Sequence, residues 1–173
     1  ERRLLWLDGA HIRGLSLDAL YDMATDYWPA SASSADKEQR LQVLGLIQER
    51  LKFLSEIPEL TGFFFTEPTD SAITELLHDP KNKQLKKLDD AEKYALLSAT
   101  QSALKDSDFS VKNLEEILNG LLVTLDTKPG ILFNIIRISI SGSPASPALF
   151  DTLSVIGKQR SLDRIERTLQ LLK

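Results

Sequence analysis

The chain has 173 residues, of which 42% are hydrophobic, so it can bury the core of one ordinary domain or of two small ones. It contains no Cys, which excludes disulfides and thiolate metal sites. We expect the cytoplasm, a reducing compartment that this composition fits, although many secreted proteins also lack Cys. The formal net charge is −4, and no apolar run approaches the roughly 20 residues that span a bilayer, so we expect no membrane contact.

The charge is unevenly distributed along the chain. Residues 111–173 carry 8 Lys/Arg and 6 Asp/Glu, whereas residues 1–110 carry 13 and 19. The more basic C-terminal part is the better candidate for contact with an anion. Two solvated surfaces explain the same numbers, and an acidic chain argues against a general nucleic-acid binder. Charge alone therefore does not decide between these interpretations.

The first predicted elements are helices separated by short polar loops. Ser16 is placed to cap a helix, and Leu15 and Leu20 occupy the positions of a hydrophobic staple around it. Ser33 or Ser34 is predicted to cap the next helix. In that helix apolar residues recur every three or four positions, which is typical of a core-facing stripe. The stripe consists of Leu41, Leu44, Ile47, Leu51 and Leu54.

Two composition signals follow this stripe. Three Phe at positions 63–65 have few basic neighbours, so we assign them to the core rather than to a base-stacking surface. A run of lysines comes next, for which a solvated surface is the favoured interpretation and an RNA backbone contact the weaker alternative. The run consists of Lys81, Lys83, Lys86 and Lys87.

The second half of the chain predicts further capped helices. Asp89 and Asp90 open one of them, because acids in a first turn offset the helix dipole. Ser110 is placed to cap another. Segment 132–140 is rich in β-branched residues, so its periodicity alone fits a strand or a helix. The last helix is predicted over residues 161–172.

A Ser/Gly/Pro-rich turn separates segment 132–140 from the next predicted helix. Pro147 can occupy the first position of that helix, which should extend to residue 156, and Ser146 can cap it. The free N–H groups of such a helix end carry partial positive charge, which suits phosphates or the acceptor edges of bases.

The stretch 137–160 carries many residues at fixed spacings. They are Arg137, Ser141, Gly142, Ser143, Ser146, Pro147, Leu149, Phe150, Asp151, Leu153, Gly157, Lys158 and Arg160. This pattern resembles the C-terminal anticodon-binding region of the bacterial glutamyl-tRNA synthetases. Shorter matches occur in residues 4–20 and 50–67. In residues 68–136 the resemblance is weak, and there it still favours a helix for segment 132–140.

The resemblance implies an all-α fold made of two helical subdomains. Residues 1–75 should form a linker helix and the first anticodon-binding subdomain, and residues 76–173 the second. The chain begins with Glu1 rather than Met, so we expect a fragment of a longer glutamate–tRNA ligase. The implied partner is tRNA(Glu), bound by a monomer.

The resemblance also implies which residues contact RNA. The position of Arg50 reads the third anticodon base, and its planar fork of donors suits the acceptors of cytosine. Around the other anticodon bases lie Arg137, Ser146, Pro147 and Leu149. Phosphate contacts, which orient RNA without reading its sequence, are assigned to Lys158, Arg160 and Arg164. Without the resemblance, Arg50 would be taken as an ordinary arginine on a helix surface. For Arg137, an arginine on an amphipathic helix and an RNA contact are both open interpretations.

No catalytic constellation can be assembled from the sequence. His11 and His78 are far apart and belong to no metal-binding motif, and neither a Walker loop nor a nucleophile elbow is present. We therefore expect a non-catalytic fragment without a cofactor, the ATP and Mg²⁺ of the parent ligase belonging to a catalytic domain outside it. The acidic net charge and departures from the family pattern at Asp8 and His11 favour one alternative, a helical protein–protein adaptor that has lost RNA binding.

Overall fold

The computed structural model describes residues 9–143 and 146–173, so Asp8 and the matched positions before it lie outside the described residues. Within these ranges the chain forms ten α-helices and no β-strand, which confirms the all-α prediction. None of the described helices combines the length and the apolar character needed to cross a bilayer. Backbone contacts divide the chain into two units, Glu1–Thr66 and Glu67–Lys173.

The division differs from the boundary expected after residue 75. That position lies inside a helix, Asp70–Leu77, which packs against two helices further along the second unit. Glu67, the first residue of the unit, also pairs with Arg164 near its end. The helix therefore belongs with the residues that follow it.

Over residues 9–66, the first unit is built from four helices and three 3-10 turns. The helices are α1 (Gly9–Arg13), α2 (Leu17–Met23), α3 (Lys37–Ile47) and α4 (Ile57–Phe65), and the turns are Ala30–Ala32, Gln48–Arg50 and Leu54–Glu56. Helix α3 packs against α2 and α4, and α1 packs against the turn Gln48–Arg50. The predicted stripe faces this core: four of its five leucines and isoleucines, from Leu44 to Leu54, are at most 1% exposed.

Capping in the first unit follows the sequence in one helix and departs from it in another. Ser16 caps α2 by accepting a bond from the Ala19 N–H at 3.2 Å, as predicted. The cap of α3 is Asp36 rather than Ser33 or Ser34, and its carboxylate accepts from the Gln39 N–H at 2.8 Å. A carboxylate at this position satisfies a free donor and offsets the helix dipole as well.

The aromatic run lies in the core of the first unit, as expected. Phe64 is 1% exposed, and Phe63 and Phe65 are partly buried. Phe65 makes an edge contact with Trp28, with ring centroids 6.0 Å apart. The rings therefore stabilise the unit.

The described part of the second unit, residues 67–143 and 146–173, is a bundle of six helices. They are α5 (Asp70–Leu77), α6 (Asp90–Leu104), α7 (Val111–Thr124), α8 (Pro129–Ser141), α9 (Leu149–Ile156) and α10 (Lys158–Leu171). Helix α10 is central and packs against α5, α6, α8 and α9, while α7 packs against α6 and α9. Ser110 caps α7, as the sequence predicts. Asp89, expected only as an acid of the first turn, is the N-cap residue of α6 and forms a capping box with Glu92.

Segment 132–140 is helical, as expected from the resemblance. Five of its apolar residues, from Leu132 to Ile140, are fully buried, so the β-branched content reflects burial on several sides of α8. Gly142 ends the helix at φ +62°, and a Cβ added to it would lie 2.8 Å from the Cβ of Pro68. Both observations require glycine at this position.

The start of α9 contradicts the predicted cap. The helix begins at Leu149 with Ala148 as its N-cap residue and without a side-chain capping bond, so Ser146 and Pro147 precede it. Ser146 is engaged instead by Arg137, a contact that sequence spacing does not reveal. Helix α10 begins at Lys158 rather than residue 161, because Gly157 at φ +94° and ψ 160° makes a turn that essentially only glycine allows.

Candidate nucleic-acid interface

Arg50 lies at the end of the 3-10 turn that continues α3. Gln48, in the same turn, donates from Nε2 to the carbonyl oxygens of Ile12 at 3.0 Å and Leu15 at 2.9 Å. Leu51 directly after the turn is fully buried. The backbone of Arg50 is therefore held on both sides.

The Arg50 side chain is exposed. Across the described residues, no hydrogen bond or ion pair engages its guanidinium. An arginine on a fixed backbone with all five donors available suits the recognition of an anion or a base edge. The position predicted from the sequence thus has the accessibility that its proposed role needs.

Two exposed neighbours, Lys52 and Phe53, follow Arg50. The Glu56 Oε2 accepts from the backbone N–H of Lys52 at 2.8 Å and of Phe53 at 3.3 Å, which fixes this part of the loop. The Phe53 residue is 49% exposed, which is unusual for a large apolar side chain. Phe53 was not among the predicted site residues, although its place between the buried stripe residues Leu51 and Leu54 indicates that it points away from the core.

Arg137 is the corresponding arginine of the second unit. It lies on α8, and its Nη1 donates to the Ser146 Oγ at 2.7 Å, the Pro147 carbonyl oxygen at 2.8 Å and the Ser146 carbonyl oxygen at 3.2 Å. The structure thus brings together three of the residues predicted for one site. One nitrogen of Arg137 anchors the turn before α9, so the plane and direction of the guanidinium are fixed by the chain itself.

The residues around Arg137 are less accessible than expected. Ser146 is 2% and Leu149 3% exposed, and Pro147 is buried as well. Because the Leu149 side chain is buried, it is not accessible for the expected packing against a base. In this structure Ser146 and Pro147 orient Arg137, which is itself half-buried.

Arg164 was assigned to phosphate contact, and the structure contradicts this assignment. The Arg164 residue is 2% exposed, and its guanidinium donates to Glu67 at 2.7 Å and 3.3 Å and to the Ile140 carbonyl oxygen. Burial lowers the pKa of Arg164, and the bond and charge of Glu67 oppose that change. Arg164 is therefore an internal cation of the second unit. Its spacing from Ser161 and Thr168, which are both buried, places it on the inner face of α10.

Arg160 and Lys158 remain nearer the surface than Arg164. The Arg160 Nη2 lies 3.5 Å from the Glu67 Oε1, and about a third of the Arg160 side chain is exposed. The exposed Lys158 donates from Nζ to the Ser107 carbonyl oxygen at 3.0 Å. Each cation thus has a partner within the chain, and its contact with a phosphate stays a prediction.

Glu67 is the carboxylate that Arg160 and Arg164 share. Its own burial raises the pKa of Glu67, but the hydrogen bond and charge of Arg164, together with Arg160, outweigh this effect and hold the pKa below its ordinary value.

Within residues 9–143 and 146–173, no group of three or more His, Asp or Glu side chains is arranged to hold a metal ion.

A shallow cavity of about 370 Å³ adjoins Arg137 in the second unit. It is lined by Gln84, Pro129, Gly130, Phe133, Asn134 and Arg137. Phe133 makes an edge contact with Phe150, with ring centroids 5.7 Å apart. The lining offers an aromatic ring, two amides and a guanidinium, which are groups that bind unstacked bases in RNA-binding proteins.

Comparison with known proteins identifies the family. Residues 19–169 match the family model described as the anticodon binding domain. The glutamate–tRNA ligase of Roseiflexus castenholzii is 34% identical over 98% of this chain, and that of Chloroflexus aurantiacus is 32% identical over 96%. In both cases the match covers 34% of the relative, so the chain spans about a third of the length of these ligases.

Solved structures show the same fold. A crystal structure of a glutamate tRNA ligase from Elizabethkingia meningosepticum matches 97% of this chain and 32% of its own, with a TM-score of 0.77 and 22% identity. A glutamate-tRNA synthetase from Elizabethkingia anophelis matches 95% of this chain and 30% of its own, with a TM-score of 0.71 and 21% identity. The resemblance to glutamyl-tRNA synthetases is thereby confirmed. The chain belongs to the anticodon-binding domain family.

Proposed function

We propose that this chain recognises the anticodon of tRNA(Glu) within a glutamate–tRNA ligase. The observation that carries the proposal is the state of Arg50, which lies exposed on a fixed turn with its guanidinium engaged by none of the described residues. Anticodon bases can leave the loop and be read on their Watson–Crick edges, so an arginine of this kind can donate to the acceptors of cytosine. The exposed ring of Phe53 offers a stacking face close by in the chain.

The second unit contributes Arg137 in a different way. Its guanidinium is oriented by Ser146 and Pro147 beside the cavity lined by Phe133 and Asn134. Such a cavity fits a single unstacked base, with Arg137 as the polar contact. Arg160 and Lys158 add positive charge along α10 for phosphates.

The reaction itself belongs to the rest of such a ligase. We assign ATP and Mg²⁺ to the two thirds of the relatives' length that this chain does not match, and we infer that the protein acts as a monomer in the cytoplasm. The chain described here supplies recognition and no chemistry of its own.

A binding titration with base-substituted tRNA tests the proposal. The chain is titrated against tRNA(Glu) and against the same tRNA with G in place of C at the third anticodon position, for the wild type and for Arg50→Gln. We expect the wild type to prefer C by about tenfold to a hundredfold, as one good bidentate contact of about 1–3 kcal/mol provides. The variant should lose this preference.

Lys37→Gln is the matched control, because Lys37 is exposed at the opposite end of α3 and its loss changes the charge equally. We expect it to keep the preference for C. Equal binding of both tRNAs by the wild type would refute the role of Arg50. A wild type that binds no tRNA would favour the adaptor alternative.

A further inference from the structure

The loop between α5 and α6 carries the densest positive charge in the second unit. Residues 79–88 contain four lysines and one acid, which is a net charge of +3 in a chain whose overall charge is −4. All four lysines are exposed, and among the described residues none of their amines forms an ion pair. We call residues 79–88 the lysine loop.

The lysine loop has a defined backbone. The Asn82 Oδ1 accepts from the N–H groups of Gln84 at 3.1 Å and Leu85 at 3.2 Å, and the Asp79 Oδ1 accepts from the Lys81 N–H at 2.9 Å. Leu85 is fully buried and anchors the middle of the loop. The backbone that carries the lysines is therefore ordered before any ligand binds, which reduces the entropy cost of binding.

The loop lies against the same face of α8 that carries Arg137. The Asn82 Nδ2 donates to the Asn134 Oδ1 at 3.4 Å, and the Gln84 amide lies 3.1–3.3 Å from where a Cβ on Gly130 would be. Gly130, Asn134 and Arg137 are spaced by four and three residues, so they share one side of the helix. Gln84 and Arg137 line one cavity.

We propose that the lysine loop is a phosphate-binding element of the RNA surface in the second unit, next to the Arg137 cavity. This inference rests on the proposed function of Arg137 and extends it. Single-stranded RNA is held by a base-binding site together with a basic surface that follows the backbone, and the cavity and the loop supply these two parts side by side. An acidic protein segment is the competing ligand for such a surface, and the experiment separates the two.

The test compares two triple variants of the full chain in tRNA binding over a series of salt concentrations. The first is Lys83→Gln, Lys86→Gln and Lys87→Gln in the loop. The second, with the same loss of charge on exposed lysines elsewhere in the unit, is Lys105→Gln, Lys112→Gln and Lys173→Gln. Thermal unfolding confirms that both variants fold, which we expect because all six side chains lie at the surface.

We expect the loop variant to reduce the slope of log K against log salt by about 2 to 3, since each of the three lost phosphate contacts contributes roughly 0.7 to 0.9. The loss should be equal for tRNA(Glu) and for tRNA with a substituted anticodon, because phosphate contacts carry no sequence information. The control variant should leave the slope unchanged.

Equal slopes for the loop and control variants would overturn the inference and favour an acidic protein segment as the ligand of the loop. The proposed function would still hold if the wild type binds tRNA and Arg137→Gln weakens that binding. A wild type that binds no tRNA would overturn both.

Discussion

Arg164 and Glu67 form a two-bond ion pair in which the arginine is buried and the carboxylate is half-exposed. The pair joins the first residue of the second unit to its central helix, α10. Because Arg164 also donates to the carbonyl oxygen of Ile140, it connects the end of α8 as well. We therefore expect the pair to matter for the stability of the unit rather than for RNA binding.

Glu67→Gln should destabilise the chain. It removes the charge that compensates a buried guanidinium, a loss of about 3–5 kcal/mol for a fully buried pair, which we reduce to about 1–3 kcal/mol because half of Glu67 is exposed. Urea unfolding measures the difference. Glu75→Gln is the control, since Glu75 is exposed on α5 in the same unit and should change the free energy of unfolding by less than about 0.5 kcal/mol.

The contribution of Glu67 should depend on pH. Its pKa is lower in the folded chain than the ordinary value of 4.5, so it stabilises the fold above that value and the stabilisation fades as the pH falls through the folded pKa. We expect the difference between wild type and Glu67→Gln to be full at pH 7 and to shrink below about pH 4.5. The pKa values of Asp108 and Glu166 are lowered too, so the comparison with the variant is needed to isolate Glu67. A difference that stays constant down to pH 3 would contradict this assignment.

Gln48→Ala should act on RNA binding through Arg50. The change removes the donor of the Leu15 carbonyl oxygen and one of the two donors of the Ile12 carbonyl oxygen, which keeps the Leu15 N–H. This costs about 1–2 kcal/mol and releases the turn that fixes Arg50. We expect the preference for C at the third anticodon base to fall. The double variant Gln48→Ala/Arg50→Gln should discriminate no worse than Arg50→Gln alone, because both changes affect one interaction. Gln42→Ala is the control, because Gln42 is exposed on α3. If the double variant loses discrimination by the sum of the two single losses, Gln48 does not act through Arg50.

Arg137→Lys should keep the charge and lose the geometry. A lysine amine cannot reproduce a planar group that is fixed by three oxygens on one nitrogen, so its position beside the cavity becomes variable. We expect discrimination against a substituted anticodon base to fall by about tenfold, while the salt slope stays the same. Arg160→Lys should alter neither quantity. Unchanged discrimination by Arg137→Lys would show that Arg137 contributes only its charge and not the geometry of its guanidinium.

Gly142→Ala should destabilise the second unit by about 1–3 kcal/mol. The backbone there has φ +62°, and the new methyl group would lie 2.8 Å from the Cβ of Pro68. Gly120→Ala is the opposite case, because Gly120 lies within α7 with nothing within 4 Å of an added Cβ. We expect that change to stabilise the chain by about 0.5–1 kcal/mol in thermal or urea unfolding. Similar effects of both changes would contradict the conformation of Gly142.

Local rules predicted the features that depend on neighbouring residues. The caps at Ser16 and Ser110 each involve a bond to an N–H three residues away, so the sequence is sufficient to place them. Segment 132–140 needed the resemblance, because burial on several sides removes the periodicity that separates a helix from a strand.

The features that were missed depend on contacts between distant residues. Ser146 is engaged by Arg137, nine residues away, and so it does not cap α9. Arg164 looked like one more cation of a basic cluster, yet its partner Glu67 lies 97 residues earlier in the chain. The exposed or buried state of each arginine could not be predicted from composition, and it is the property that separates Arg50 from Arg164.

The three oxygens that engage one nitrogen of Arg137 have a thermodynamic consequence. An unrestrained arginine gives up about 2 kcal/mol of rotamer freedom when a ligand immobilises it. In this chain much of that loss has already occurred during folding, since Ser146 and Pro147 restrain the side chain in the absence of RNA. A nucleotide arriving at the cavity would meet a prepositioned cation, and more of the attraction would remain as net affinity.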